Sequence, residues 1–276
     1  MTAAEPDYAG KPGRVLIVAG SDSGGGAGIQ ADIKTVTCLG GYAMTAITAL
    51  TAQDTTGVHG VVGIDPAFIQ QQMRVVLADL GADCIKTGML HSAEVIEAVA
   101  EVLGEVPDIP CVVDPVMVSQ SGHTLLETEA VRTLNRSLLP HANLITPNLP
   151  EAQKLTGLEV SDVDEAEHAA QLVLTLGVPA ALVKGGHLTG DEMVDVLATE
   201  DGVERLSDAR IDTDQTHGTG CTLASAIAAG LAQGLPLRPA VLRARAYLRH
   251  ALETAPGLGD GQGPVNHAWT VKRFDG

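Results

Sequence analysis

The sequence predicts an α/β fold: one domain with a mainly parallel sheet covered on both faces by helices. Short apolar runs of strand length alternate with stretches of helical period from residue 15 onward. The runs are apolar on both faces, as in sheets buried on both sides. No repeat, low-complexity block or linker divides the chain, so residues 14–276 read as a single domain behind a flexible tail at 1–13.

Each element has its own signal. Val15–Ala19 (VLIVA) is a buried strand ended by Gly20. After the loop SDSGGGAG, Ile29–Leu39 carries apolar residues at 29, 33, 36 and 39, a helical period that Gly40 and Gly41 stop. Tyr42–Leu50, partly β-branched, is the second strand, and Val61–Ile64 the third. Pro66 opens a helix to about Leu80, since proline at the first helical position gives up no needed N–H. Cys84–Ile85 is a strand, and Ser92 caps a helix to Leu103. Cys111–Met117 is a strand, followed by a helix at about Glu129–Leu139; Asn143–Asn148 is a strand with a short helix behind it. A helix at about Asp164–Leu176 precedes the strand Ala180–Gly186. Met193–Thr199 and Val203–Arg210 alternate in polarity around EDG and form a hairpin, over the sheet edge or the ligand. Helices at about Thr219–Ala232 and Leu237–Glu253 close the chain.

Composition narrows the function. Of 276 residues 45% are hydrophobic but only 2% aromatic, so Ala, Val, Leu and Ile build the core. The formal net charge is −17 with no basic run, which argues against nonspecific nucleic-acid binding. An anionic ligand therefore needs local help from lysine, a metal or a helix N-terminus. The four cysteines fit no CxxC or zinc spacing and suit a reducing cytosol. The start MTAAEPDYAGKPGR lacks the apolar core of a signal peptide, and no apolar run reaches the ~18 residues of a membrane span. The expected location is cytoplasmic, with no membrane partner.

Two glycine loops stand at predicted helix starts. The first, AGSDSGGGAGIQAD (residues 19–32), fails the dinucleotide spacing: Gly24 and Gly26 require a small residue where Ile29 stands. The register from Gly26 and Gly28 reaches Ala31, but Thr51 occupies the place of the acidic partner. A P-loop requires lysine where Gly26 stands. The loop reads as a close backbone approach to a small ligand. In the second, THGTGCTLASAIAAG, Gly218, Thr219 and Gly220 precede a helix whose N-terminus can hold an anion and the charge of phosphoryl transfer. The same field lowers a first-turn thiol pKa. Cys221 is thus either a partner of a hydroxyl nucleophile, even its base, or a small core residue; the loop alone leaves both open. Asp114, Asn148, Glu151 and Lys184 follow strands, at the edge where such sheets bind ligands. Each singly suits a cap or surface residue. Together the carboxylates can hold Mg²⁺ through water, and Lys184 can meet phosphate.

AGSDSGGGAGIQADIKT, ITALTAQDTTGV, IKTGML, DPVMVSQSG, LITPNLPEA, VKGGH, THGTGCTLASAIA and GPVNHAW occur in this order. From about Arg14 to Trp269 the chain resembles the bacterial hydroxymethylpyrimidine/phosphomethylpyrimidine kinases of thiamine biosynthesis, in the ribokinase-like superfamily. The resemblance implies a three-layer α/β/α sandwich of ribokinase-like type and a homodimer. It implies phosphorylation of 4-amino-5-hydroxymethyl-2-methylpyrimidine by ATP and Mg²⁺, first to the monophosphate and then to the diphosphate. Gln53 matches the pyrimidine-recognising glutamine, whose amide both donates and accepts. Gly20, Ala27 and Asp32 match other pocket residues, and Met89 an apolar wall. Gly218, Thr219, Gly220 and Cys221 match the anion hole, Lys184 the phosphate-facing lysine, and Asp114 and Glu151 metal-associated carboxylates. Cys221 stands where many ribokinase-like sugar kinases carry aspartate. Ser23 and Gly24 depart from a frequent Pro and Ser, and GQGPVNHAW from a frequent spacer histidine.

Pyridoxal kinase of the same superfamily is the nearest alternative; Gln53 and Met89 lean toward the aminopyrimidine. A noncatalytic pyrimidine-binding sensor would not need Lys184, Asp114, Glu151 and GTGC together. His187, His217 and His267 read as loop or packing residues, since the transfer leaves no role unfilled.

Overall fold

In chain order the strands and helices are β1 (Arg14–Asp22), α1 (Gly28–Cys38), β2 (Tyr42–Gln53), β3 (Val58–Gly63), α2 (Pro66–Asp79), β4 (Cys84–Thr87), α3 (Ala93–Glu105), β5 (Cys111–Val113), α4 (Thr128–Thr133), β6 (Leu144–Ile145), α5 (Leu149–Thr156), α6 (Val163–Leu174), β7 (Ala180–Val183), β8 (Glu192–Thr199), β9 (Gly202–Ala209), α7 (Thr219–Ala232) and α8 (Leu237–Glu253). This computed structural model describes residues 12–117, 128–186, 188, 190–272 and 274. Most of the expected tail, His187 and the end of the DPVMVSQSG segment lie outside the described residues.

All nine strands form one sheet in the order β3-β2-β1-β4-β5-β6-β7-β8-β9. The six from β2 to β7 are parallel; β3 pairs antiparallel with β2, and the hairpin β8–β9 runs antiparallel beside β7. Period-two alternation in β1 divides the core. Val15, Ile17 and Ala19 face the layer of α1, α7 and α8, while Leu16 and Val18 face the layer of α2 and α3. A third cluster packs α5 and α6 on β7 and β8. The architecture is the expected three-layer sandwich. In α7 the small residues Ala224, Ala226, Ala228 and Ala229 are fully buried. They let α8 approach so closely that a Cβ on Gly230 would lie 2.8 Å from Ala240 Cβ.

Sequence and structure differ mainly at the carboxyl ends of strands. The first two strands run further than expected, to Asp22 and Gln53, while β5 and β6 stop at Val113 and Ile145. The residues after β5 and β6 leave the ladder and bring Asp114 and Asn148 to a cleft. The helix expected at Glu129–Leu139 divides into α4, a π turn at Leu134–Leu138 and a 3-10 turn at Leu139–His141, where Pro140 cannot continue the α pattern. Among the described residues no helix is long and apolar enough to cross a membrane.

Candidate active site

The parallel strands end on a cleft of about 630 Å³. β1 lies between β2 and β4, so the order in which strands are added reverses there and opens a crevice, where open α/β sheets bind ligands. Gly20, Ala27, Gln53 and Met89 line one part; Asp114, Glu151, Lys184 and Gly218–Cys221 line the other. The structure brings all of these expected site residues into one cavity.

The first glycine loop is organised by its own carboxylate. Asp22 Oδ1 accepts from Gly24 N at 2.8 Å, and Oδ2 from Gly26 N at 3.0 Å and Ala27 N at 2.8 Å. His217 Nε2 lies 2.8 Å from the same Oδ2. Burial works to raise the Asp22 pKa, but the His217 and loop hydrogen bonds outweigh it, leaving the carboxyl below its usual range. The loop's glycines serve chain-on-chain approach: a Cβ on Gly28, at φ 54°, would strike Gly20 O, and one on Gly26 would strike His217. Ser23 Oγ donates to Gln53 O at 2.7 Å and accepts from Gln53 N at 2.8 Å, so one residue that departs from the family pattern fixes the end of β2. The Gln53 side chain is half-buried, with Oε1 accepting from Thr51 Oγ1 at 3.1 Å and Nε2 3.5 Å from His217 Nε2.

The second loop is held from behind. Gly218 takes φ 81°, and a Cβ there would collide with Gly26 O, so the two loops touch. α7 then starts with no side-chain cap. A helix start carries unpaired N–H groups and partial positive charge. Thr222 Oγ1 donates to Gly218 O at 2.8 Å and so accepts from His267 Nε2 at 2.9 Å. Burial lowers His267 to about 4, which keeps it neutral. The GPVNHAW segment thereby buttresses the turn, and His267 is the packing residue the sequence suggested. His217 does more than pack, since its ring pins one loop to the other.

A Cβ on Gly220 would lie 3.1 Å from Lys184 Nζ and 3.6 Å from Asp114 Oδ2, so glycine brings α7 against this pair. Lys184 Nζ donates to Asp114 Oδ1 at 3.1 Å, and Asp114 is 2% exposed. Glu151 closes a capping box with Asn148, accepting from Asn148 N at 2.8 Å and from Met117 N at 3.4 Å. Burial pushes its carboxyl up to about 7, with Asp114 adding to the rise and Lys184 opposing it.

Two expectations are corrected. The helix field does not leave Cys221 with a low pKa: loss of solvent pushes the thiol up to about 12, against the pull of the Lys86 ammonium. Asp32 is fully buried and absent from the cleft lining, with its carboxylate facing Lys86 inside the core. Sequence reasoning missed Lys86 and the Asp22–His217 pair. The signal for Lys86 was a lysine inside the apolar strand CIKT, which requires a buried carboxylate partner.

A family profile described as phosphomethylpyrimidine kinase matches residues 22–266. The hydroxymethylpyrimidine/phosphomethylpyrimidine kinase of Streptomyces coelicolor is 48% identical over 98% of this chain and 99% of its own. The thiamine biosynthesis bifunctional protein ThiED of Geobacter sulfurreducens is 52% identical over 92% of this chain, which spans about half (52%) of that protein. The ADP complex of Bacillus subtilis pyridoxal kinase superposes with a TM-score of 0.88 at 37% identity, covering 94% of this chain and 98% of that one. The profile, the full-length relative and the cleft at the strand ends agree: the chain belongs to the phosphomethylpyrimidine kinase family.

Proposed function

We propose that this kinase transfers the γ-phosphoryl group of ATP to 4-amino-5-hydroxymethyl-2-methylpyrimidine and then to the resulting monophosphate. The observation that carries the reading is the uncapped start of α7, brought by Gly220 against Lys184 and Asp114 beside the Gln53–Met89 wall. The acceptor oxygen attacks the γ-phosphorus as the bond to the β-phosphate oxygen breaks and ADP leaves; in the first step the hydroxyl proton passes to an oxygen of the transferred phosphoryl group and on to solvent. N–H groups at Gly220 and Cys221, with Lys184, take up the developing charge. At about 12 the Cys221 thiol is protonated at neutral pH, so it orients the acceptor and does not serve as base. A loose phosphoryl transition state places little demand on a base. In the second step the acceptor is already an anion.

Asp114 and Glu151 fit Mg²⁺. They offer two carboxylates at the cleft, and the described residues hold no cluster of three or more His, Cys, Asp or Glu that could hold a metal ion. Such a donor set suits an ion that keeps water and substrate phosphates as its other ligands. Bound there, it would neutralise phosphate charge. The chain works as one domain in the cytoplasm. It pairs as a homodimer through the open β3 edge, where Val61, Val62 and nearby Leu50 are exposed.

The test offers MgATP with the hydroxymethylpyrimidine, its monophosphate or pyridoxal and weighs the products by mass spectrometry. Diphosphate from the first two acceptors is the expected result. Transfer to pyridoxal alone would overturn it in favour of the second reading, which rests on the likeness to the Bacillus pyridoxal kinase. No transfer to any acceptor would favour a sensor.

A further inference from the structure

Lys86 has no part in the chemistry above, yet three elements converge on it. It sits in β4, fully buried, with Nζ 2.8 and 3.0 Å from the two Asp32 oxygens. Asp32 comes from α1, and Ser225 Oγ donates to its Oδ1 at 2.6 Å from α7, one helical turn beyond Cys221. A Cβ on Gly88 would lie 3.2 Å from Nζ, and Lys86 and Gly88 both line the cleft. It has three N–H donors; Asp32 takes two, and among the described residues it makes no other hydrogen bond.

Stability does not account for this arrangement. A buried ion pair is a weak stabiliser, and well-packed neutral residues often replace it without loss. Its orientation is informative. Lys86 lines the same cleft as the Gly218–Cys221 turn and Asp32 does not, so the pair turns its positive end to the cleft, and the Lys86 cation opposes the rise of the Cys221 thiol pKa. The other charged groups acting on Cys221 are Asp114, beyond β5, and Lys184, beyond β7.

We infer that Lys86 is a positioning residue for the transfer, a fixed cation behind the turn Gly218–Cys221 that favours negative charge arriving there. Asp32 and Ser225 hold it in place. Only the kinetic arm of the test rests on the phosphotransfer reading.

The test replaces the pair together, as Lys86→Met/Asp32→Asn, leaving no unpaired buried charge. Neutral iodoacetamide at pH 8 reads the field directly, with Cys221 and Cys38 followed separately by mass spectrometry. The expected result is about tenfold slower alkylation of Cys221 with Cys38 unchanged, at a melting temperature close to the parent's. In the kinetic arm kcat falls by about 10²-fold, while KM for the acceptor stays within about threefold. A second pair, Lys86→Gln/Asp32→Asn, keeps a hydrogen bond between the side chains and is read in the same way. A folded variant of either kind with the parent's ratio of Cys221 to Cys38 rates overturns the inference, whatever its kcat. If the parent phosphorylates nothing, the proposed function fails while the thiol ratio still tests Lys86.

Discussion

Both glycine loops run into helix starts on the same cleft, and they touch at Gly26 and Gly218, yet only one is open to an anion. In the Asp22–Ala27 loop the N–H groups of Gly24, Gly26 and Ala27 are already taken by the Asp22 carboxylate. That loop carries its own anion and serves as a wall. The turn before α7 has no side-chain cap, is braced from behind by Thr222 and His267, and faces Lys184. Glycine content therefore does not identify a phosphate site. Vacant donors with a cation opposite them do.

The comparison can be broken at defined positions. The largest effect is expected from Gly218→Ala, where a side chain at φ 81° meets Gly26 O and parts the loops. Its kcat should fall by about 10³-fold in steady-state assays. Asp22→Asn comes next. It weakens charge-assisted bonds from three loop N–H groups and the contact with His217. Urea unfolding should show a loss of about 2 kcal/mol, and KM should rise for the pyrimidine more than for ATP.

Glu151→Gln tests the other side of the cleft. Burial raises this carboxyl from 4.5 to about 7. A raised acid contributes stability that is complete below its unfolded value and is lost as pH climbs through the folded one. Without nucleotide or metal, the variant should gain about 3 kcal/mol on the parent between pH 4.5 and pH 8, measured by urea unfolding. The smallest effect belongs to Gly24→Ala. Gly24 is exposed, its φ is ordinary, and an added Cβ would meet Asp22 Oδ1 at 3.2 Å and Gln53 O at 3.3 Å. Activity should stay within about twofold and stability within about 0.5 kcal/mol, and a loss matching that of Gly218→Ala would erase the distinction between the loops.

Much of this was legible because it is local. Apolar runs marked β1 and β2, Pro66 and Ser92 marked the starts of α2 and α3, and α7 falls at the expected Thr219–Ala232. The strand-end rule gathered Asp114, Glu151 and Lys184. What stayed hidden was pairing across long separations. Asp22 and His217 are 195 residues apart, and Asp32 and Lys86 are 54 apart. Within its own segment each reads as a solvated polar residue. Asp32 was assigned to the pocket by the family resemblance; the folded register turns it inward to a lysine. Cys221 was left open between two readings, because sequence shows the helix start and not the loss of solvent that raises the thiol pKa.

The most direct measurement is a crystal structure with a non-hydrolysable ATP analogue, Mg²⁺ and the hydroxymethylpyrimidine. The account predicts the γ-phosphate on the backbone N–H groups of Gly220 and Cys221, within reach of Lys184 Nζ, with the ring between Gln53 and Met89. A γ-phosphate seated on the Asp22–Ala27 loop, displacing the Asp22 carboxylate, would contradict it.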